Sequence, residues 1–123
     1  MSAKRSIVVF GVVLLLFILG WQSWNYFRLQ VEVAFAEEQT QIFDEMRQKA
    51  LQADAVGAAE FLGYVVNYYP SGTKQRAGSR LDKIVERERA FVTHDIISYL
   101  RQKTGEDLGE NPEAWIKKYA KDK

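Results

Sequence analysis

Cysteine is absent from the 123-residue chain, and proline occurs only twice. The lack of cysteine excludes disulfide bonds and thiolate metal sites. Stability must therefore come from packing, with or without oligomerisation. Neither proline nor glycine interrupts residues 22–56. Because these two residues are the strongest helix breakers, their absence favours a long helix through this region.

Histidine occurs once, as His94, next to Asp95. Neighbouring residues on a helix do not face each other, so this pair is not a catalytic dyad by itself. A single histidine without cysteine is a poor metal site, and the acidic run over 106–110 lacks the spacing of a calcium loop. Phosphate-binding glycine loops and serine nucleophile elbows are also missing. The sequence therefore predicts no enzyme activity, no catalytic residue, no cofactor and no metal.

Charge is nearly balanced, with 17 basic and 16 acidic residues. Lys4 and Arg5 precede a long apolar run, which leaves 17 − 2 = 15 basic against 16 acidic residues after it, a net charge of −1. A near-neutral domain has no basic field for nucleic acid, so no nucleic-acid partner is expected.

The apolar run extends from Ile7 to Phe27 without a single charge. Its 21 residues would form about 32 Å of helix, against a bilayer core of about 30 Å. We interpret residues 7–27 as a single transmembrane helix. Trp21 and Trp24 suit an aromatic belt at its far end. The predicted membrane-anchoring residues are Ile7, Val8, Val9, Phe10, Val12, Val13, Leu14, Leu15, Leu16, Phe17, Ile18, Leu19, Trp21 and Trp24.

The positive charges before the run predict the orientation. Basic residues favour the cytoplasmic side, so residues 1–6 are expected in the cytoplasm and residues 28–123 outside it. The corresponding location is a bacterial inner membrane with a periplasmic domain. The alternative is a secretory signal peptide cleaved after Ala36. The uncleaved anchor is favoured because Ala36 lies 15 residues beyond Trp21, whereas cleavage sites follow the apolar core closely.

After the apolar run, good helix formers predict a helix over about residues 28–53. Its apolar residues recur every three or four positions, as Phe27, Val31, Ala34, Phe35, Ile42, Met46 and Ala50. Glu38 interrupts this stripe, and no clean heptad is sustained. Two interpretations stay open: a dimeric coiled coil, and a helix packed on its own domain. The second is favoured.

Three more helices are predicted, over about residues 55–69, 74–103 and 112–120. Asp54 can cap the first, and Asn111 followed by proline can begin the last. The middle helix could start early, near Thr73, or later, at Ser79 with its capping partner Asp82. No stretch has the alternation of a strand. The predicted fold is all-α, with a transmembrane helix that continues into a small helical hairpin or bundle.

Aromatic residues cluster in the second and last of these helices. Five of them are candidates for packing or interaction, namely Tyr64, Tyr68, Tyr69, Trp115 and Tyr119. They could line a ligand groove, but a core with hydroxyl groups at its edge is favoured. The last helix is too short to be stable alone, so Trp115 is expected to dock near Ile96, Tyr99 and Leu100.

Two stretches carry a resemblance to known families. Residues 58–77, with a helix that ends at Tyr69-Pro70, resemble the junction between helices in tetratricopeptide-like proteins of bacterial envelopes. Residues 99–115, with a Thr-Gly-x-Asp-x-Gly turn before an Asn-Pro cap and a Trp, resemble a C-terminal segment of HEAT-type repeat proteins. With its anchor, the chain is similar to small membrane-anchored helical proteins of bacteria. These resemblances imply helix packing and interaction, and no catalytic residue.

The sequence therefore predicts a protein-protein interaction or structural module at the cell envelope, which binds protein partners or a second copy of itself. The alternative is a small ligand-sensing or accessory subunit of a membrane signalling or transport system. Since six residues precede the apolar run, such a subunit would have to act by contacting another membrane protein.

Overall fold

A computed structural model describes residues 2–121 and is all-helical over them. This confirms the predicted fold class, a long apolar N-terminal helix followed by a helical bundle. The helices are α1 (Ala3–Ala50), α2 (Ala55–Asn67), α3 (Arg80–Thr104) and α4 (Pro112–Tyr119). The chain divides into two compact units, residues 1–33 and residues 34–123.

Side-chain caps determine where the shorter helices begin. The Asp54 carboxylate accepts a hydrogen bond from the Gly57 amide at 2.7 Å, and Asn111 accepts one from Glu113 at 3.1 Å. Each bond satisfies an amide that has no partner within its own helix. Both predicted caps are therefore present, and the predicted boundaries of these two helices agree with the observed ones to within two residues.

Of the two starts left open for the third helix, the later one is confirmed and the start near residue 74 is wrong, because α3 begins at Arg80. Ser79 is its cap and accepts a hydrogen bond from the Asp82 amide at 3.2 Å. Asp82 in turn accepts hydrogen bonds from the Gly72 and Gly78 amides, both at 3.1 Å. Since these amides are held by a side chain of α3, the preceding residues form a turn and not a first helical segment.

The core of the second unit brings all four helices together. Its largest fully buried side chains come from different helices and include Phe43, Leu62, Ile96 and Trp115. From Ala36 onward α1 lies against its own domain, the interpretation that the sequence favoured. The other core residues are Ala36, Ala50, Ala58, Val65, Val85, Val92, Ile97 and Leu100.

The buried face of α1 agrees with the predicted stripe at Ala50 and differs from it nearer the start of the domain. Val31 and Ala34 are exposed, whereas Ala36 and Gln39 are buried. Hydrophobicity alone could not identify this face because Gln39, a polar residue, lies in its middle. Gln39 is accommodated because its amide oxygen accepts a hydrogen bond of 2.8 Å from the Gln75 side chain.

Arg89 of α3 connects α2 to the rest of the core. Its guanidinium donates to the carbonyl oxygens of Val65 at 2.6 Å, Tyr68 at 2.7 Å and Tyr69 at 2.8 Å. The last carbonyls of a helix have no partner within the helix, so Arg89 satisfies the end of α2 from outside. The guanidinium also lies 4.8 Å from the centroid of the Phe43 ring on α1.

We predict that Arg89→Met strongly destabilises the domain. Each buried carbonyl left without a donor costs roughly 1–3 kcal/mol, so the free energy of unfolding should fall by about 3 kcal/mol or more. Urea unfolding of the fragment 28–123, followed by circular dichroism, measures the change. The control is Arg87→Met, on the exposed face of α3, which should shift the free energy by less than about 0.5 kcal/mol. Equal midpoints for both variants would contradict the role assigned to Arg89.

Candidate membrane anchor and interaction site

The first unit contains the apolar residues predicted to span a membrane. α1 includes an 18-residue window with a mean hydropathy of 2.2, and none of that window is buried. It is the one helix of residues 2–121 that is long and apolar enough to cross a membrane. All fourteen predicted anchoring residues are exposed, as a lipid-facing surface would require. The Trp24 and Phe27 rings lie 6.2 Å apart toward the end of the apolar run.

The five candidate aromatic residues do not form one cluster. Three of them, Tyr64, Tyr68 and Tyr69, lie together at the end of α2, where their rings contact each other in sequence. The Tyr64 and Tyr68 rings are stacked at 5.3 Å, and the Tyr68 and Tyr69 rings meet edge to face at 4.6 Å. We call these three residues the tyrosine surface. Tyr64 is 47% exposed and Tyr69 is 40% exposed, so the surface offers aromatic area to a partner.

Tyr68 links the tyrosine surface to the core. Its ring packs edge to face on Phe43 at 6.3 Å and is half-buried. Burial raises the pKa of the Tyr68 hydroxyl, and the Glu38 carboxylate adds a smaller contribution in the same direction. Tyr68 is therefore uncharged at neutral pH. Its ring packs between Phe43 of the core and the rings of its two exposed neighbours, Tyr64 and Tyr69.

Tyr69 has a backbone conformation that a bulky residue rarely adopts. Its φ angle is +42°, in the left-handed region where a side chain meets its own backbone. Two side chains hold the Tyr69 carbonyl in place: Arg89 at 2.8 Å and Gln39 at 3.4 Å. Such strain persists only where the surrounding structure imposes it, and it often marks a functional position.

The turn after Tyr69 is organised by the buried carboxylate of Asp82. Besides the two glycine amides, Asp82 accepts a hydrogen bond of 2.6 Å from the Ser71 hydroxyl. Burial opposes ionisation of Asp82, but the hydrogen bonds from Ser71, Gly78 and Gly72 outweigh it and lower its pKa. Asp82 is therefore charged at neutral pH, and its charge is used inside the turn.

Lys74 joins this turn to the aromatic residues. Its ammonium lies 4.3 Å from the centroid of the Phe35 ring and 4.6 Å from that of Tyr69. Both distances are within the range of a cation-π contact. A positive charge therefore sits on the exposed edge of the tyrosine surface, between α1 and the turn.

Trp115 and Tyr119 lie on α4, and their role is to dock it. Trp115 is fully buried, its indole nitrogen donates to the Gly109 carbonyl at 2.8 Å, and its ring lies 6.1 Å from that of Tyr119. The prediction that α4 packs mainly on the end of the third helix is wrong, because α4 packs mainly against α2. The short loop after α3 allows α4 to pack on either α2 or α3. The sequence alone does not indicate which of these helices has an apolar face that α4 can cover.

The loop between α3 and α4 adds charged contacts to this docking. Glu106 accepts a hydrogen bond from Lys118 at 2.5 Å and another from Tyr119 at 2.6 Å. The Lys118 ammonium, and then the Tyr119 hydroxyl, lower the pKa of Glu106. Arg101 lowers the pKa of Glu110 in the same way. The pKa of Asp107 is lowered first by the hydrogen bond from the Gly109 amide and then by Arg101. Glu106 therefore joins the loop to α4, whereas Asp107 and Glu110 join it to Arg101 of α3.

An open groove of about 310 Å³ lies between α2 and α4. Its floor is apolar and its rim carries charge, with lining residues Ala59, Glu60, Gly63, Ile116, Lys117, Ala120 and Lys121. The volume is at the lower end of what small-molecule sites occupy. Tyr64 and Trp115 each neighbour a lining residue in the sequence but do not line the groove themselves, so this groove is not the aromatic ligand groove that was the less favoured alternative.

His94 and Asp95 have separate partners. The His94 ring lies 3.3 Å from Glu110, whereas Asp95 accepts a hydrogen bond of 2.6 Å from Arg47. Within residues 2–121, no three or more histidine, cysteine, aspartate or glutamate side chains are grouped to hold a metal ion. The acidic side chains of this region instead pair with Arg47, Arg101 and Lys118.

Three polar residues that position the tyrosine surface were not predicted from the sequence to do so. They are Gln39, Arg89 and Asp82, of which Asp82 was predicted only as a capping partner. Arg89 lies in a run of alternating charges, Glu86 to Arg89, which reads as a solvated face. The only available signal was its spacing, since Arg89 follows the buried Asp82 and Val85 by seven and four residues and so shares their helix face.

No family model, curated protein or solved structure matches the chain. The resemblances noted for residues 58–77 and 99–115 therefore stay interpretations of the sequence. The proposals that follow depend on the geometry described above.

We predict that Trp115→Ala lowers the free energy of unfolding by about 3 kcal/mol, in the usual range for large-to-small core changes. Glu113→Ala is the control, because Glu113 lies on the exposed side of the same helix and should cost no more than about 0.5 kcal/mol. Urea midpoints of the fragment 28–123 provide the comparison. If both variants are equally mild, α4 does not depend on Trp115 for docking.

Proposed function

We propose that the chain is a single-pass membrane protein whose helical domain binds protein partners or a second copy of itself at the cell envelope. One observation carries this proposal: α1 contains both an unburied apolar span and, from Ala36 to Ala50, one wall of the packed core. Because α1 extends from Ala3 to Ala50, the first core residues of the domain follow the apolar span within the same helix.

The orientation proposed here places residues 1–6 in the cytoplasm and the domain outside, in the periplasm of a bacterium. Lys4 and Arg5 support it through the preference of basic residues for the cytoplasmic side. The aromatic residues Trp21 and Trp24 support the opposite end of the span as the outer interface.

An interaction role is supported by what the domain exposes. Two of the three tyrosines are open to solvent, and the third fixes them to the core. Tyrosine supplies large amphipathic contact area at a low cost in side-chain entropy, which is why it is enriched where proteins bind each other. We propose no enzyme activity, since His94 and Asp95 are separately paired and the buried carboxylate Asp82 is committed to the turn.

The alternative, a ligand-sensing subunit, has one observation in its favour, the groove between α2 and α4. Its open shape and the charged Glu60, Lys117 and Lys121 around it suit a water-filled surface groove more than an enclosing ligand site. The interaction role is therefore preferred.

Thiol labelling tests the orientation, because the wild-type chain has no cysteine and gives no background. We expect a membrane-impermeant thiol reagent added to intact spheroplasts to label Gln102→Cys and to leave Ser2→Cys unlabelled. Permeabilised cells should label both. The reverse pattern would overturn the orientation, and a mature protein that begins at Glu37 would show a cleaved signal peptide in place of an anchor.

Crosslinking in native membranes tests the interaction. We expect the full-length protein to give a defined crosslinked species, with another protein or with a second copy, that falls at least about tenfold in Tyr64→Ala, a loss typical of an interface anchor. The control is Phe91→Ala, which removes another exposed aromatic side chain, on α3. A protein that remains uncrosslinked, or a species unaffected by either variant, would contradict a role for the tyrosine surface.

A further inference from the structure

Basic residues are concentrated in the segment between α2 and α3 and in the first turn of α3. We call residues 70–83 the basic turn. It contains four basic residues and one acidic residue, and these are Lys74, Arg76, Arg80, Lys83 and Asp82. The acidic one is only 4% exposed, and its two carboxylate oxygens accept hydrogen bonds from within the turn. Arg80 and Lys83 are exposed, so the first turn of α3 presents positive charge to solvent.

The local charge of the basic turn is opposite in sign to the net charge of the domain. Residues 28–123 have a net charge of −1, so the positive surface results from local segregation. Arg80 and Lys83 are exposed and lie in the first turn of α3. A basic side chain is unfavourable at a helix N-terminus, where the macrodipole favours acidic residues. Helix stability therefore does not explain why two basic residues occupy these positions.

Aromatic area adjoins the basic turn. The Tyr69 ring, 40% exposed, carries the Lys74 ammonium on its face, and the half-buried Phe35 ring lies on the other side of that ammonium. Amphipathic aromatic rings together with lysine and arginine are typical of protein surfaces at the membrane-water interface.

Few residues separate the apolar span from this surface in the sequence. Phe35 follows Phe27, the last residue of the span, by eight positions, and a chain of that length reaches at most about 28 Å in any conformation. A surface tethered at this range meets the bilayer at a high effective concentration, so individually weak contacts are sufficient. An acidic protein in solution has no such advantage.

We propose that the basic turn, with the ring of Tyr69, rests on the anionic headgroups of the membrane that α1 enters. This inference depends on the proposed function as a membrane-anchored module. It specifies which surface of the domain faces the lipid, and it identifies anionic headgroups as the chemical group that this surface binds.

Site-specific fluorescence of the full-length protein in bilayers tests the proposal. A fluorophore is attached at Ala77→Cys in the basic turn or, as a control, at Gln102→Cys near the end of α3, and a quencher is attached to lipid headgroups. The bilayers are phosphatidylcholine with or without phosphatidylglycerol. With phosphatidylglycerol, we expect quenching at position 77 to exceed that at position 102 by about threefold or more. It should fall to the control level in about 1 M salt, where the Debye length is about 3 Å.

A charge-reversal pair shows whether the basic residues are responsible. Arg80→Glu with Lys83→Glu should abolish the excess quenching at position 77, and the fold should persist because acidic residues suit the first turn of α3. Lys49→Glu with Lys103→Glu changes the net charge equally at two other exposed positions and should leave the quenching unchanged. Circular dichroism verifies that both double variants are folded.

Three results would overturn the inference: equal quenching at both positions, equal quenching with and without phosphatidylglycerol, or the same response from both double variants.

Extraction of the membranes at alkaline pH separates these results from failure of the proposed function. A protein that stays in the membrane while position 77 shows no excess quenching contradicts only the lipid contact. A protein released by alkaline extraction contradicts the membrane anchor itself.

Discussion

The hydrogen bonds of Arg89 to the end of α2 are the interaction on which most of the second unit depends. A helix that ends inside a protein leaves carbonyl groups without partners, and burying them unpaired is costly. Arg89, on α3, donates hydrogen bonds to these carbonyl groups, and its guanidinium also packs on Phe43 of α1. One side chain therefore contacts two other helices. Because the planar guanidinium has five donors in fixed directions, lysine could not reproduce these contacts.

The strained residue follows from the same contacts. Tyr69 comes directly after the carbonyls that Arg89 binds, and its own carbonyl is held by Arg89 and Gln39. The chain can therefore turn sharply there although no glycine is present. On the other side of the turn, Asp82 binds Ser71 and the backbone of both glycines. Two buried charges of opposite sign thus define the shape of the loop.

The sequence was sufficient to predict the all-α fold and the helix caps Asp54, Ser79 and Asn111, because these depend on local patterns and on the chemistry of single side chains. It did not identify the buried face of α1, the neighbour of α4 or the role of Arg89. Each of these depends on residues far apart in the chain. A glutamine or an arginine in a helix is normally exposed, and only the partner, here a distant carbonyl or amide, makes its burial favourable.

Among residues 2–121, every buried side-chain nitrogen or oxygen has a hydrogen-bond partner. The polar groups of the interior are thus used to hold the fold, and binding has to rely on groups at the surface. There the domain offers two different chemistries on adjoining elements, since Tyr64 presents a neutral aromatic ring and the basic turn presents charge. Neutral aromatic contact suits a protein interface, whereas charge beside an aromatic ring suits a lipid surface. If both proposals hold, the membrane would orient the domain through the basic turn while a protein partner contacts Tyr64.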